Sequence, residues 1–238
     1  MRIIAGSAKG RKLISVKQHL PVKPISDRIK QSLFDIIKPR LPASRFLDLF
    51  AGTGAVGLEA LSRGAELAVF VERDQACLKA INRNLEHLGF AARAKVLRAD
   101  VMAGLAWLRH YAGADGAGYD MIFLGTPYRD AKNRMLALTG PVLEFIASGG
   151  LLAPDGRIVA QHHITEKFAL PSGYEAYRAE KYGDSLVTFV KRAQGAPLVP
   201  PSAVAGPSDA AVHYPPGRER YGGAARQLRS HNRRGNKK

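Results

Sequence analysis

The sequence predicts an α/β fold of the doubly wound, Rossmann-like kind: a mostly parallel seven-stranded sheet with helices on both faces. Three observations carry that prediction. From Phe46 onward, short apolar runs alternate with stretches of helical period. A glycine turn, Gly52-Thr53-Gly54-Ala55-Val56-Gly57, follows the first apolar run and opens a helix. Acidic residues fall at or near the carboxyl ends of the first three runs, at Asp48, Glu72 and Asp100.

In chain order, Arg2 to Val16 reads as two short strands around a glycine-bounded turn, a basic β-hairpin carrying Arg2, Lys9, Arg11 and Lys12. Pro21 and Pro24 interrupt the pattern. Ser26 is placed to cap a helix from Asp27 to about Ile37, whose apolar positions Ile29, Leu33, Ile36 and Ile37 share a face. Arg28 and Lys30 lie off that stripe, toward a ligand or water. Strands are expected near 46–50, 67–72, 94–98, 119–124 and 156–161, with helices near 55–63, 74–88, 101–111 and 132–147 between them. Two last strands, near 174–181 and 185–191, follow one another directly and predict an antiparallel hairpin closing the sheet. After Arg192 the chain is rich in Pro, Gly, Ala and Arg with no apolar period, the composition of a disordered basic tail. The expected organisation is thus a basic arm over 1–25, a catalytic domain over 26–192 and a tail over 193–238.

The glycine turn points to a nucleotide at the carboxyl edge of the sheet. Glycine lets the backbone approach the ligand, and Glu72, about twenty residues on, can accept from ribose hydroxyls. Asp48 narrows the choice. A carboxylate at this edge repels the pyrophosphate of a dinucleotide and welcomes the ammonium and sulfonium of S-adenosylmethionine, which is therefore favoured. Asp100 ends the third strand, where it can accept from an adenine amino group or cap a helix.

Charge adds a second partner. The formal net charge is +16, unevenly spread: residues 1–45 hold 11 basic and 2 acidic side chains, 46–192 hold 17 and 16, and 193–238 hold 8 and 2. A near-neutral body between two basic ends is the footprint of a protein that meets a polyanion such as nucleic acid. The single cysteine, Cys77, excludes an intrachain disulfide and fits a helical packing position better than a nucleophile. Trp107 likewise falls in an apolar helical pattern. His162 and His163 are adjacent in a strand and point to opposite faces, which makes a poor chelate. No run is long enough for a membrane span and the start lacks a signal-peptide shape, so a cytoplasmic location is expected; a monomer is expected as well.

Several blocks are more specific than the fold: Arg2-Ile3-Ile4-Ala5-Gly6, Lys9-Gly10-Arg11-Lys12-Leu13, Ser26-Asp27-Arg28-Ile29, Asp48-Leu49-Phe50-Ala51-Gly52-Thr53-Gly54 and Leu58-Glu59-Ala60-Leu61-Ser62-Arg63-Gly64-Ala65. With these, residues 1–192 resemble the RsmD-like methyltransferases, which methylate the exocyclic N2 of a guanine in small-subunit (16S) ribosomal RNA using S-adenosylmethionine. The resemblance implies that Asp48, Phe50, Gly52, Thr53, Gly54, Glu72 and Asp100 hold the cofactor. It also implies that Arg2, Lys9, Arg11, Lys12 and Arg28 hold 16S RNA or the small ribosomal subunit.

The family carries Asp-Pro-Pro-Tyr at the end of the fourth strand; here the four positions are Gly125, Thr126, Pro127 and Tyr128. In the family the acid and the next backbone carbonyl accept the two hydrogens of the target amine while the tyrosine stacks on the extruded base. Tyr128 and the Thr126 carbonyl remain; the carboxylate does not. A second departure is Gln161-His162, where an acid-histidine pair is expected. The sequence therefore implies a guanine-N2 methyltransferase. Its competitor is a weak or inactive binder of S-adenosylmethionine and RNA that serves ribosome assembly.

Overall fold

The computed structural model describes residues 1–16, 25–113 and 117–196. The expected tail thus lies outside the described residues apart from 193–196, as does 17–24 of the arm. The sheet has seven strands: β1 (Arg45–Leu49), β2 (Leu67–Glu72), β3 (Ala94–Arg98), β4 (Tyr119–Gly125), β5 (Leu152–His163), β6 (Tyr174–Tyr182) and β7 (Ser185–Arg192). Their spatial order is β3-β2-β1-β4-β5-β7-β6. The first five pair in parallel, and β5–β7 and β7–β6 are antiparallel, so the predicted closing hairpin is present.

Side chains alternate across this sheet and build two cores. Phe46, Phe70, Met121, Phe123, Val159 and Phe189 pack on one face with helices α1 (Asp27–Ile37), α2 (Ala55–Ser62) and α3 (Gln75–Leu88). Leu47, Val69, Ile122, Leu124 and Ile158 face α4 (Thr139–Ser148) on the other. The capping chemistry is local: the Ser26 hydroxyl accepts from Ile29 N at 3.2 Å and the Asp74 carboxylate accepts from Cys77 N at 2.8 Å. Gly57 sets the distance between α2 and the sheet, since a Cβ there would lie 2.3 Å from the Phe70 ring.

Four expectations are corrected. The helix expected over 101–111 is two 3-10 segments, Val101–Ala103 and Ala106–Tyr111, separated by Gly104 at φ +99°. The helix expected from 132 begins at Thr139. Before it, the Asp130 carboxylate takes the amides of Lys132 and Arg134, Asn133 adopts φ +60°, and a bridge joins Arg129 to Met135. The fifth strand starts earlier than expected, at Leu152, and runs to His163.

The fourth correction is the arm. It is a tight antiparallel loop with one bridge, Arg2 to Lys12, rather than two full strands. Several of its amides are taken by α2. Glu59 accepts from Ile4 N and Ala5 N at 2.8 and 3.0 Å, and Ser7 N donates to Ser62 O at 2.8 Å. Ile3, Ala8 and Leu13 are buried in the same core as α1 and α2. Trp107 is half-buried against the opposite core, its indole N–H given to Gly104 O at 3.0 Å. Among the described residues no helix is long and apolar enough to cross a membrane.

Candidate active site

The turn after β1 is built from left-handed backbone. Phe50, Gly52 and Gly54 have φ of +59°, +55° and +81°. For phenylalanine that conformation costs on the order of 1–3 kcal/mol, a strain that clusters at ligand sites. Two carboxylates hold the turn. Glu72, at the end of β2, accepts from Gly52 N at 2.8 Å through one oxygen, and from Arg73 N and Asp74 N at 2.8 and 2.9 Å through the other. Asp48 is 1% exposed and accepts from Gly57 N, in the first turn of α2, at 2.8 Å.

Burial pushes the Asp48 carboxyl up to about 7; the Gly57 amide opposes the rise and the Glu72 charge adds to it. Such a group, half-ionised near neutrality on the floor of a cleft, gains most from a cation placed beside it. The donor set therefore fits an ammonium- or sulfonium-bearing ligand better than a phosphate.

Gly125 ends β4, next to β1, and lines the same cleft of about 800 Å³ as Asp48, Phe50, Gly52, Thr53 and Glu72. Thr126, Pro127 and Tyr128 line it too. The Thr126 hydroxyl is turned into the protein, 3.3 Å from the Thr139 hydroxyl and 3.4 Å from Gln161 O, so it does not replace a carboxylate at 125. Tyr128 is anchored. Its hydroxyl donates to Ser185 Oγ at 2.8 Å and accepts from Gln161 Nε2 at 3.1 Å, while His163 meets its ring edge-on at 5.5 Å. Asp130, the nearest downstream acid, does not line the cleft. The Arg134 amide, helped by its guanidinium and the Lys132 amide, holds the Asp130 carboxyl below its ordinary range and commits it to its own loop.

Other expected residues lie elsewhere. Gly54 caps α2 and is not in the cleft wall. Asp100 also lies outside that wall; it accepts from Met102 N at 3.0 Å and stands 3.7 Å from Arg73. Arg2, Lys9, Arg11, Lys12 and Arg28 are all exposed, outside the cleft, on the arm and α1. Met1, Ser15, Val16, Ser26 and Asp27 from those segments border the cleft itself. Lys30 corrects its expectation: it is fully buried and paired with Glu59.

Sequence reasoning did not single out Asp27, His163 or Asp184 as cleft residues, nor Cys77. Two of them, His163 and Asp184, come from a strand end and a turn that only the assembled sheet brings to the cleft, while Asp27 opens α1 and Cys77 lies in α3. Gln161 lies in the cleft wall, whereas His162 points to the other face, where Thr188 holds its Nε2 at 2.9 Å and burial lowers its pKa.

Comparison with known proteins supplies a second line. Residues 1–191 match the family described as Conserved hypothetical protein 95. YlbH of Bacillus subtilis (strain 168) is 40% identical over 193 residues, 81% of this chain and 99% of its own length. The ribosomal RNA small subunit methyltransferase D of Escherichia coli (strain K12) is 30% identical over 199 residues, 78% of this chain and 93% of its own. Among solved structures, yhhF of Escherichia coli superposes with a TM-score of 0.66 at 28% identity, covering 81% of this chain and 97% of that one. A hypothetical protein of Thermus thermophilus superposes at 0.61 with 30% identity, covering 79% and 98%.

Proposed function

The chain belongs to the family described as Conserved hypothetical protein 95, the RsmD-like methyltransferases, and on that premise we propose that it methylates the exocyclic N2 of a guanine in 16S ribosomal RNA, with S-adenosylmethionine as donor. One observation carries the reading: the cation-seeking carboxylate Asp48 and the aromatic turn Gly125–Tyr128 open on one cleft. Donor and acceptor are thereby brought together without a covalent enzyme intermediate.

S-adenosylmethionine, when bound, supplies a methyl group on a sulfonium that leaves as a neutral thioether. Asp48 faces its cationic end, the Gly52–Gly54 turn brings backbone close to it, and Glu72 accepts from the ribose. Tyr128 offers its ring as a stacking platform for a base drawn out of the RNA. The Thr126 backbone carbonyl accepts one hydrogen of the target amine. The exposed cations Arg2, Lys9, Arg11, Lys12 and Arg28 track the RNA backbone outside the cleft.

The missing acid at 125 and the commitment of Asp130 to its own loop favour a second reading, a scaffold that binds cofactor and RNA but turns over little. Transfer of a labelled methyl group to small ribosomal subunits lacking the modification separates the two. N2-methylguanosine in the digested RNA supports the enzyme. Label from Gly125→Asp alone supports the weak binder. Silence from both, with cofactor binding intact, overturns the substrate.

A further inference from the structure

We propose that the side-chain amide of Gln161 supplies the hydrogen-bond acceptor that Gly125 lacks, its oxygen facing the amine that receives the methyl group. This deepens the functional reading above and rests on it. Gly125 and Gln161 are register partners on adjacent parallel strands. Alternation places their side-chain directions on one face: Phe123 and Val159, two residues before each, both belong to the core of α1, α2 and α3. A side chain from 161 therefore leaves the sheet on the same face as one from 125 would, and both positions line the cleft.

The amide is also oriented. Gln161 Nε2 is spent on the Tyr128 hydroxyl at 3.1 Å, and that hydroxyl gives its own proton to Ser185 Oγ at 2.8 Å. With the nitrogen end fixed, the oxygen end is directed by the planarity of the amide. Gln161 Oε1 has no hydrogen-bond partner among the described residues, and the residue that carries it lines the cleft. Three of the other acids in the wall are otherwise engaged, and the fourth belongs to a turn rather than to β4 or β5. Asp48 receives Gly57 N, Glu72 holds the glycine turn, Asp27 stands 3.9 Å from Arg2, and Asp184 sits in the β6–β7 turn.

The chemistry balances with this neutral acceptor. The amine nitrogen forms a bond to the methyl carbon as the carbon–sulfur bond breaks, and that electron pair stays on sulfur. The nitrogen becomes positive and sheds one N–H proton to water. Gln161 Oε1 and the Thr126 carbonyl accept hydrogen bonds from the two amine hydrogens and aim the lone pair; neither takes the proton. A neutral acceptor does this more weakly than a carboxylate.

The test is steady-state methylation of small ribosomal subunits by wild type, Gln161→Ala, Gln161→Glu and Gly125→Asp/Gln161→Ala, with cofactor affinity and far-ultraviolet circular dichroism measured alongside. Gln161→Ala should lose on the order of a hundredfold in kcat, as when a single oriented hydrogen-bonding group is removed from a reaction centre. KM for the RNA should stay within a few-fold and cofactor affinity should be unchanged. Gln161→Glu should raise kcat, and in the Gly125→Asp background the alanine should cost far less. An unchanged kcat in Gln161→Ala, or the same loss in both backgrounds, overturns the assignment while leaving the methyltransferase reading intact. No N2-methylguanosine from folded wild type overturns that reading first. Should Gln161→Ala fail to fold, Gln161→Glu decides alone: a gain in kcat supports the assignment and no gain overturns it.

Discussion

Lys30 Nζ lies 3.2 Å from Glu59 Oε2, and solvent reaches neither side chain. Around this ion pair the arm is tied to the body. Lys30 also donates to Arg2 O at 2.6 Å, and Glu59 receives Ile4 N, Ala5 N and Arg63 Nε. Burial lowers the Lys30 pKa, and the adjacent Glu59 charge counters that. The pair thus fixes where the basic arm stands relative to the cleft that Met1 and Ser15 border.

Removing one partner of such a pair leaves a buried charge uncompensated. Glu59→Ala should cost roughly 3–5 kcal/mol of stability and free the amides of Ile4 and Ala5. Urea unfolding measures the first effect. Faster tryptic cleavage after Lys9 or Arg11 in the folded variant measures the second. A loss below about 1 kcal/mol would place the pair among weakly contributing contacts.

This pair also marks the limit of what the sequence makes legible. Sheet alternation, the glycine turn and the closing hairpin are local patterns, and they appear where the residues predict them. Lys30 sits one position past a clear apolar stripe, and nothing local says that an acid about thirty residues on will bury it. The same limit applies to Gln161, Tyr128 and Ser185, whose contacts form only when β5 and β7 pair. Asp130 and Gly104 stop helices through a side-chain cap and a left-handed residue that an apolar period cannot register.

Asp48 gives a pH dependence of known sign. Its carboxyl rises from the ordinary 3.8 to about 7 on folding, so the folded state binds the extra proton between those values. Stability of the ligand-free protein should be fullest below about 3.8 on this account and fall as pH rises to about 7, by about 4 kcal/mol at most. A cation beside Asp48 favours its charged form. S-adenosylmethionine affinity should therefore rise with pH up to about 7 and level off, weakening at most about tenfold per unit below that. Asp48→Asn should abolish the pH dependence, raise stability at pH 8 and weaken cofactor binding. Calorimetric titration at pH 5.5, 7 and 8.5 checks it; a flat profile in wild type would refute it.

Cys77 lines the cleft but is poorly placed to react. Burial, then the charges of Glu72 and Asp74, pushes its thiol up to about 12, which leaves roughly one thiolate in ten thousand at pH 8. Iodoacetamide at pH 8 should label the denatured chain and spare the native one over the same interval, and Cys77→Ala should retain activity within a few-fold. Rapid native labelling would show that the cleft opens more than its packing indicates.

Gly125→Asp tests the departure in the strand-four motif directly. The backbone at 125 does not require glycine, since its φ is not in the left-handed region. A Cβ there would stand 3.0 Å from Phe123 Cε1 and 3.4 Å from Cζ, so the ring edge must give by a few tenths of an ångström. That accommodation should cost no more than about 1–3 kcal/mol of stability. In return the amine would meet a charged acceptor, roughly twice as strong as a neutral one. The expected gain in kcat is about tenfold, corresponding to about 1.4 kcal/mol, with cofactor affinity unchanged because Asp48 and Glu72 are untouched. A thermal melt, cofactor titration and single-turnover methylation on one preparation separate the three effects. A folded, cofactor-binding variant with no gain in rate would mean that the position does not face the reacting amine.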